Sequence, residues 1–346
     1  MIREAIAHLV AGGSLSETEA AAAMDEMMSG TATPSQLGAF LMALRLKGET
    51  VDEVTGLARV MREKALHVPL SSTVHAVDTC GTGGDSAGTF NVSTAAGLLV
   101  AAMGQPVAKH GNRAATSRCG SADVLEALGV KLELGPEDVA ACVEQVGFGF
   151  MFAPTYHPAM RHVGPTRREI GIRTVFNILG PLTNPAGARY QVLGVADPSL
   201  LSLMGESLLR LGCERALIVH GDDGVDELSL SAPTRVVEVR GREGDVIEYT
   251  ITPEELGLER RDHDAVRGGD AQQNAAVMRG TLRGEQHSAI PDMVALNAGA
   301  ALYATGRAET PRDGVRQAAD ALATGRAATT LDALVAMTRA LAPISA

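Results

Sequence analysis

The sequence predicts an α/β protein: a small N-terminal helical domain, then a larger α/β domain with a central, mostly parallel sheet flanked by helices. Two observations predict it. Three capping boxes fall within the first 65 residues, and from about residue 76 short apolar, often β-branched runs alternate with helical stretches.

The boxes are Ser16-Glu17-Thr18-Glu19, Thr33-Pro34-Ser35-Gln36 and Thr50-Val51-Asp52-Glu53. In each, a hydroxyl stands three residues before Glu or Gln, so the two side chains can satisfy amides that the first helical turn leaves unpaired. Gly12-Gly13, Ser29-Gly30 and Gly48 separate these helices. Val77 and its apolar neighbours suggest the first strand, and residues 90–96 open an alanine-rich helix. Pro106-Val107-Ala108 reads as a second strand and residues 122–128 as a helix. Further strands are expected at 148–152, 192–195, 216–219 and 236–239. Residues from about 165 to 182 read as helical and polar on one face. Stretches 274–278, 292–304 and 312–322 are again helical and should pack on the sheet.

Composition narrows the class. At 346 residues the chain is long enough for two domains with a buried core. It contains no run of about 18 apolar residues to span a bilayer. The N-terminus Met1-Ile2-Arg3-Glu4-Ala5 lacks the basic-then-apolar order of a signal peptide. A soluble, cytoplasmic protein is expected. Cys80, Cys119, Cys142 and Cys213 have spacings that fit neither a paired metal site nor a disulfide framework, so free thiols are expected. The formal net charge of −11 argues against a general nucleic-acid surface, and any phosphate site must be local.

The chemistry concentrates in two places. Asp78-Thr79-Cys80-Gly81-Thr82-Gly83-Gly84-Asp85 is glycine-rich where a strand should end, so backbone amides can approach an anion without a Cβ in the way. It matches neither the Walker A pattern nor the dinucleotide fingerprint. Asp85 would repel a bare phosphate and suits a sugar hydroxyl or a metal-bound water. Downstream, Phe90-Asn91-Val92-Ser93-Thr94 begins a helix whose first turn offers hydroxyls and N–H groups, Lys109-His110-Gly111-Asn112-Arg113 follows a strand, and Thr116, Ser117, Gly120 and Ser121 precede another helix. The second place is Gly221-Asp222-Asp223-Gly224-Val225-Asp226-Glu227, after a strand. From spacing alone this acidic run reads equally as a solvated turn or as a Mg²⁺ site that keeps waters and bridges substrate phosphates.

These strings, with Gly120-Ser121-Ala122-Asp123, His157-Pro158-Ala159-Met160, Arg167-Arg168-Glu169 and the run Asn177 through Pro185, occur in an order that resembles the anthranilate phosphoribosyltransferase family over nearly the whole chain. The resemblance implies transfer of a phosphoribosyl group from phosphoribosyl pyrophosphate to anthranilate, the second step of tryptophan biosynthesis from chorismate. It implies a phosphoribosyl pyrophosphate site at Gly81, Thr82, Gly83, Gly84, Asp85, Thr89, Asn91, Ser93, Thr94, Lys109, Ser117 and Ser121. It implies an anthranilate site at Gly81, His110, Asn112, His157, Arg167 and Pro181. Two Mg²⁺ ions per subunit are expected on Ser93, Asp226 and Glu227. Lys109, His110 and Arg167 are the expected catalytic residues. It also implies a helical domain of residues 1–68 joined by about 165–182, an α/β domain of 69–164 and 183–346, and a homodimer through the helical domain.

Bottom-up chemistry bears on these roles unevenly. Arg167 offers a planar fork matched to a carboxylate, although an Arg167-Arg168 pair on a helix is commonly a solvated face. His110 can serve as a late proton acceptor or as a structural hydrogen-bonding residue. An aryl amine is already nucleophilic when neutral, so positioning and electrostatics can carry most of the reaction. The chain departs from the family's serine-rich pattern at Ala114-Ala115-Thr116-Ser117-Arg118-Cys119, where Ala114 lacks a hydroxyl and Cys119 carries a thiol. Two rivals make different demands. A pyrimidine nucleoside phosphorylase would not need Asp226-Glu227 or the Arg167 region, and a catalytically silent nucleic-acid-binding relative should have gained a basic face.

Overall fold

The computed structural model describes residues 1–85, 87–114, 118–285 and 288–342. It opens with four helices: α1 (Ile2–Val10), α2 (Glu17–Met28), α3 (Pro34–Lys47) and α4 (Val51–Glu63). All three capping boxes form, at Ser16, Thr33 and Thr50. The third goes deeper than its pattern suggests. Glu53 is fully buried and is satisfied by the amides of Leu15 at 2.9 Å and Thr50 at 2.8 Å, and by Lys47 Nζ at 2.9 Å. One helix cap thus also pins the preceding loops. Phe40, Leu41 and Leu44 of α3 are fully buried, each contributing about 1.5–3 kcal/mol of transfer free energy.

Seven strands follow: β1 (Val77–Gly81), β2 (Val107–Gly111), β3 (Phe148–Phe152), β4 (Tyr190–Gly194), β5 (Arg215–Gly221), β6 (Thr234–Arg240) and β7 (Asp245–Ile251). They form one sheet in the order β3-β2-β1-β4-β5-β6-β7. β1 to β5 are parallel; β6 and β7 are antiparallel additions at the edge. The mostly parallel sheet of the α/β expectation is therefore present. β7 was not anticipated, because Asp245 and Glu248 interrupt its apolar residues and it is only half-buried, as an edge strand tolerates. The chain leaves β1 towards β2 and β3, then returns to lay β4 on the other side. That reversal opens a crevice at the carboxyl ends of β1 and β4, the place where ligands bind in open α/β sheets.

Two apolar clusters hold the layers. One joins β1–β3 to the helices Val92–Ala102, Ile290–Ala304, Pro311–Ala323 and Ala327–Leu341. The last of these was missed, although Leu331, Leu334 and Thr338 are buried at helical spacing. The other cluster joins α1–α4 to Leu193, Ile218, Val237 and Val239 of the sheet through the helix Leu200–Arg210. Val163, Val175, Phe176, Ile178, Leu179 and Leu182 sit in this second cluster, so segment 163–182 packs with the N-terminal helices. It is not one helix. Gly164–Ile170 ends at Gly171 with φ +69°, and Phe176–Leu179 follows after a turn. Arg62 secures the junction by donating to the carbonyls of Leu182 at 2.6 Å and Leu211 at 3.0 Å. Among the described residues no helix is long and apolar enough to cross a membrane.

Candidate active site

A cleft of about 760 Å³ lies at the carboxyl ends of β1, β2 and β5, between the sheet and segment 157–181. Its volume is in the range of small-molecule sites. Every candidate residue but Ser117 lines it, including the sequence-distant Lys109, His157, Arg167 and Asp226. Ser117, with Thr116 and Ala115, lies outside the described residues.

The floor is built on β1 and β2. Lys109 is almost fully buried, and its ammonium donates to the Thr79 carbonyl and to Ser93 Oγ at 3.3 Å. Beside it Asp78, fully buried, accepts from the His110 amide at 3.3 Å and from Asn184 Nδ2 at 2.7 Å. Burial raises its pKa to about 6, against the stabilising pull of Lys109 and Asn184. Asn184 also donates to the Ala108 carbonyl at 2.8 Å, so this buried carboxylate and its amide partner lock β1 to β2 beneath the lysine.

One wall is acidic. The Gly83 amide donates to Asp226 Oδ2 at 2.8 Å, and the Ser93 amide at the start of the helix Val92–Ala102 donates to Glu227 Oε1 at 3.2 Å. The acidic loop presses so hard on β4 that a Cβ at Gly194 would lie 1.5 Å from the Asp226 carbonyl oxygen. Only glycine fits there. Burial, then Asp85, then Glu227 raise the Asp226 carboxyl well above its ordinary value, while burial carries Glu227 to about 7 despite Lys109 and the Ser93 amide. Asp85 has one oxygen, Oδ2, buried without a partner. The other two carboxylates of the acidic run turn away: Asp222 pairs with Arg235 at 3.3 Å and Asp223 accepts from Ser229 Oγ at 2.8 Å.

Three crowded carboxylates beside one buried ammonium are a donor set suited to a hard divalent cation such as Mg²⁺. Among the described residues no three metal-binding side chains close around a single point. An ion here would complete its shell with water and substrate oxygens, the habit of Mg²⁺.

The opposite wall carries two imidazoles and Phe176 among Arg161, Arg167, Arg168 and Arg173. His110 and His157 face each other with Nε2 atoms 3.2 Å apart, and His110 Nδ1 lies 3.2 Å from the Gly180 carbonyl. A carbonyl only accepts, so His110 carries its proton on Nδ1, its Nε2 accepts, and His157 donates from Nε2. His157 Nδ1 is then a bare lone pair, buried without a partner. Burial lowers the pKa of His110 to about 3, helped by His157, and that of His157 to about 4. The Arg167 guanidinium stands 5.0 Å from the centre of the Phe176 ring and is partly buried, whereas Arg168 is exposed. Gln191 Nε2 donates to the Pro181 carbonyl at 2.7 Å and fixes the turn beneath them.

Several lining residues are already engaged by neighbours. The start of the helix Ser121–Ala127 is largely self-satisfied: Ser121 Oγ and the Ala122 amide both donate to Asn112 O, and the Gly120 amide donates to Asp123 at 2.9 Å. Asn91 is held between the Cys119 carbonyl at 3.1 Å and Asn274 Nδ2 at 2.9 Å. Thr94 Oγ1, like Asp85 Oδ2 and His157 Nδ1, is buried in the lining without a partner. Buried polar atoms left unpaired are costly, and three in one cleft mark where a ligand's polar groups would go. Sequence reasoning missed Asp78, Asn184, Arg173 and Asn274. Asp78 and Asn184 sit inside strings quoted above without a role of their own, and Arg173 and Asn274 carry no local pattern.

The sequence comparisons decide the family. Residues 3–65 match the model for the helical bundle domain of a glycosyl transferase family, and residues 73–328 match that for its a/b domain. An anthranilate phosphoribosyltransferase from Chloroflexus aurantiacus is 55% identical over 338 residues, covering 98% of this chain and 99% of that one. The chain belongs to the anthranilate phosphoribosyltransferase family. Solved members of the family share its fold. The Thermus thermophilus structure is 49% identical with a TM-score of 0.91, covering 97% of this chain and 99% of that one. An anthranilate phosphoribosyltransferase from Saccharomyces cerevisiae, solved in complex with PRPP and Mg, is 25% identical with a TM-score of 0.89 and covers 98% of each chain.

Proposed function

We propose that this cleft transfers the phosphoribosyl group of phosphoribosyl pyrophosphate to the amine of anthranilate, releasing pyrophosphate. The observation that carries the assignment of groups is the division of one cleft into an acidic wall and a wall of two neutral imidazoles on which Arg167 is the partly buried, Phe176-stacked arginine among several. The glycine-rich loop and Ser93-Thr94 suit the phosphoribosyl donor, with Asp85 and Thr94 Oγ1 free to meet its polar atoms. Asp226, Glu227 and Ser93 are the groups that would hold Mg²⁺, two ions per subunit. When bound, Mg²⁺ supplies positive charge against the negative charge that gathers on the leaving pyrophosphate. Lys109 adds a fixed ammonium to the same end.

On the acceptor side Arg167 suits the carboxylate, and its stacking on Phe176 presets the fork. Pro181 and Asn112 flank the ring space. The free lone pair belongs to His157, with His110 holding its tautomer from behind. His157 Nδ1, and not His110, is therefore the group that can accept a hydrogen bond from the amine. A solvent-shielded imidazole held neutral fits an acceptor that must not repel the growing positive charge of the sugar ring.

The same reading takes the protein as cytoplasmic and as a homodimer through the helical domain of residues 1–68 and about 165–182. Val10 of α1 and Leu46 of α3, 73% and 81% exposed, support a covered face there. The test is the fall in anthranilate fluorescence on mixing with phosphoribosyl pyrophosphate, with and without Mg²⁺. Loss only in the complete mixture supports the function. Phosphate-dependent cleavage of a pyrimidine nucleoside instead would overturn it.

A further inference from the structure

Arg173 stands between the two walls and was not among the candidate residues. Its backbone leaves the helix Gly164–Ile170 through Gly171 and enters an anchored turn, where the Thr174 amide donates to Asn177 Oδ1 at 3.0 Å and Thr174, Val175 and Phe176 are buried. From there its exposed side chain crosses the cleft mouth, and Nη1 donates to the carbonyl of Gly83 at 2.9 Å. Gly83 is thereby held from both ends, because its amide donates to Asp226. The neighbouring position records how close the guanidinium comes. A Cβ at Gly84 would lie 1.8 Å from Arg173 Nη1, and Gly84 has φ +78°. Arg173 also lines the cleft, so its charge borders both this loop and the cleft.

We propose that Arg173 is a positioning residue that ties the glycine-rich loop to the acceptor wall through the Gly83 carbonyl, setting the donor and acceptor sites in a fixed relation. The chain of contacts is continuous: Arg167 on Phe176, the anchored turn to Arg173, then Gly83 and Asp226. A loop of glycines has no side chains with which to reach the other wall. An arginine offers both the span and a charged donor, and a charged hydrogen bond is roughly twice as strong as a neutral one. This inference rests on the functional reading above for its kinetic consequence, but not for its structural one.

The experiment uses the full-length protein with Arg173→Met, which keeps the apolar stem and removes every donor, and Arg173→Lys, which restores one charged donor. Loss of one charged hydrogen bond should raise KM for phosphoribosyl pyrophosphate by about tenfold in the Met variant. KM for anthranilate should rise less than threefold, and Lys should return the donor KM to within about threefold of wild type. Amide hydrogen exchange of the peptide containing Gly83 and Gly84 should quicken in Met and recover in Lys, with Tm unchanged because the side chain is exposed. A Met variant with wild-type KM and wild-type exchange overturns the proposal. So does a Lys variant as impaired as Met, which would mean that a bidentate contact with the donor, and not the loop, is what matters. If the wild type shows no turnover at all, the functional reading fails and the exchange measurement still decides Arg173.

Discussion

The two walls of the cleft are built on opposite electrostatic plans. On the acidic side Asp85, Asp226 and Glu227 crowd one another, and burial and mutual repulsion push Asp226 and Glu227 towards holding protons. On the histidine side burial pushes both imidazoles towards losing theirs, and each is fixed by the other or by a carbonyl. The acidic wall is frustrated until positive charge arrives. The histidine wall already has its partners, so one face awaits a counter-charge and the other is organised in advance.

The strongest way to break this contrast is to remove charge from the frustrated wall. Asp226→Asn should lower kcat/KM by about 10²–10³-fold, as expected when a group serving the developing charge is lost. The same variant should raise the stability of the ligand-free protein by about 1 kcal/mol, since one of three repelling carboxylates is gone. Steady-state kinetics and thermal unfolding together check it; a fall in Tm would mean that the wall is not frustrated. Arg167→Ala acts on the other side. KM for anthranilate should rise about 10–100-fold, the worth of a charged hydrogen-bonded pair. Equal rises for both substrates would sink the assignment.

A pH measurement sharpens the contrast further. Histidines whose folded pKa values lie at about 3 and about 4 stay neutral in the folded chain while the unfolded chain protonates near its ordinary value. The unfolded state then binds more protons, so these residues subtract stability as pH falls below about 6.5 and subtract nothing above it. Buried Asp78, at about 6, works in the opposite sense below that value, because the folded state takes up the proton first. The double variant His110→Asn, His157→Asn keeps Asp78, so it isolates the histidines. Between pH 7 and pH 5 it should lose less stability than wild type, whatever its absolute Tm, in denaturant titrations. The smallest effect belongs to Arg168→Ala. That exposed side chain should change stability by under about 0.5 kcal/mol and either KM by under about twofold, and a change as large as that of Arg167→Ala would reverse the choice between the two arginines.

How much of this was legible in the sequence depended on the range of the signal. Capping boxes are local, and Ser16, Thr33 and Thr50 all cap as their spacing implies. Buried parallel strands are short apolar runs, and five were visible. β7 was not, since an edge strand alternates weakly and carries charges. The glycine loop, Lys109 and the acidic run were legible as phosphate and cation chemistry, but nothing local says that Asp226 rather than Asp222 or Asp223 faces the cleft. That follows from the press of the loop on Gly194. Arg173 was illegible because its role depends on a partner 90 residues away that offers only a backbone carbonyl.

The second apolar cluster carries a consequence for how the molecule comes apart. Two family models divide the chain near residue 70, yet α1–α4 share their core with the sheet through the helix Leu200–Arg210 and segment 163–182, and Arg62 is spent on carbonyls from both. The division by family model does not coincide with a division of the apolar core. A bundle cut free at the linker would uncover the surface that now faces the sheet. The whole chain should instead melt in one cooperative step, each half serving as the template on which the other completes itself.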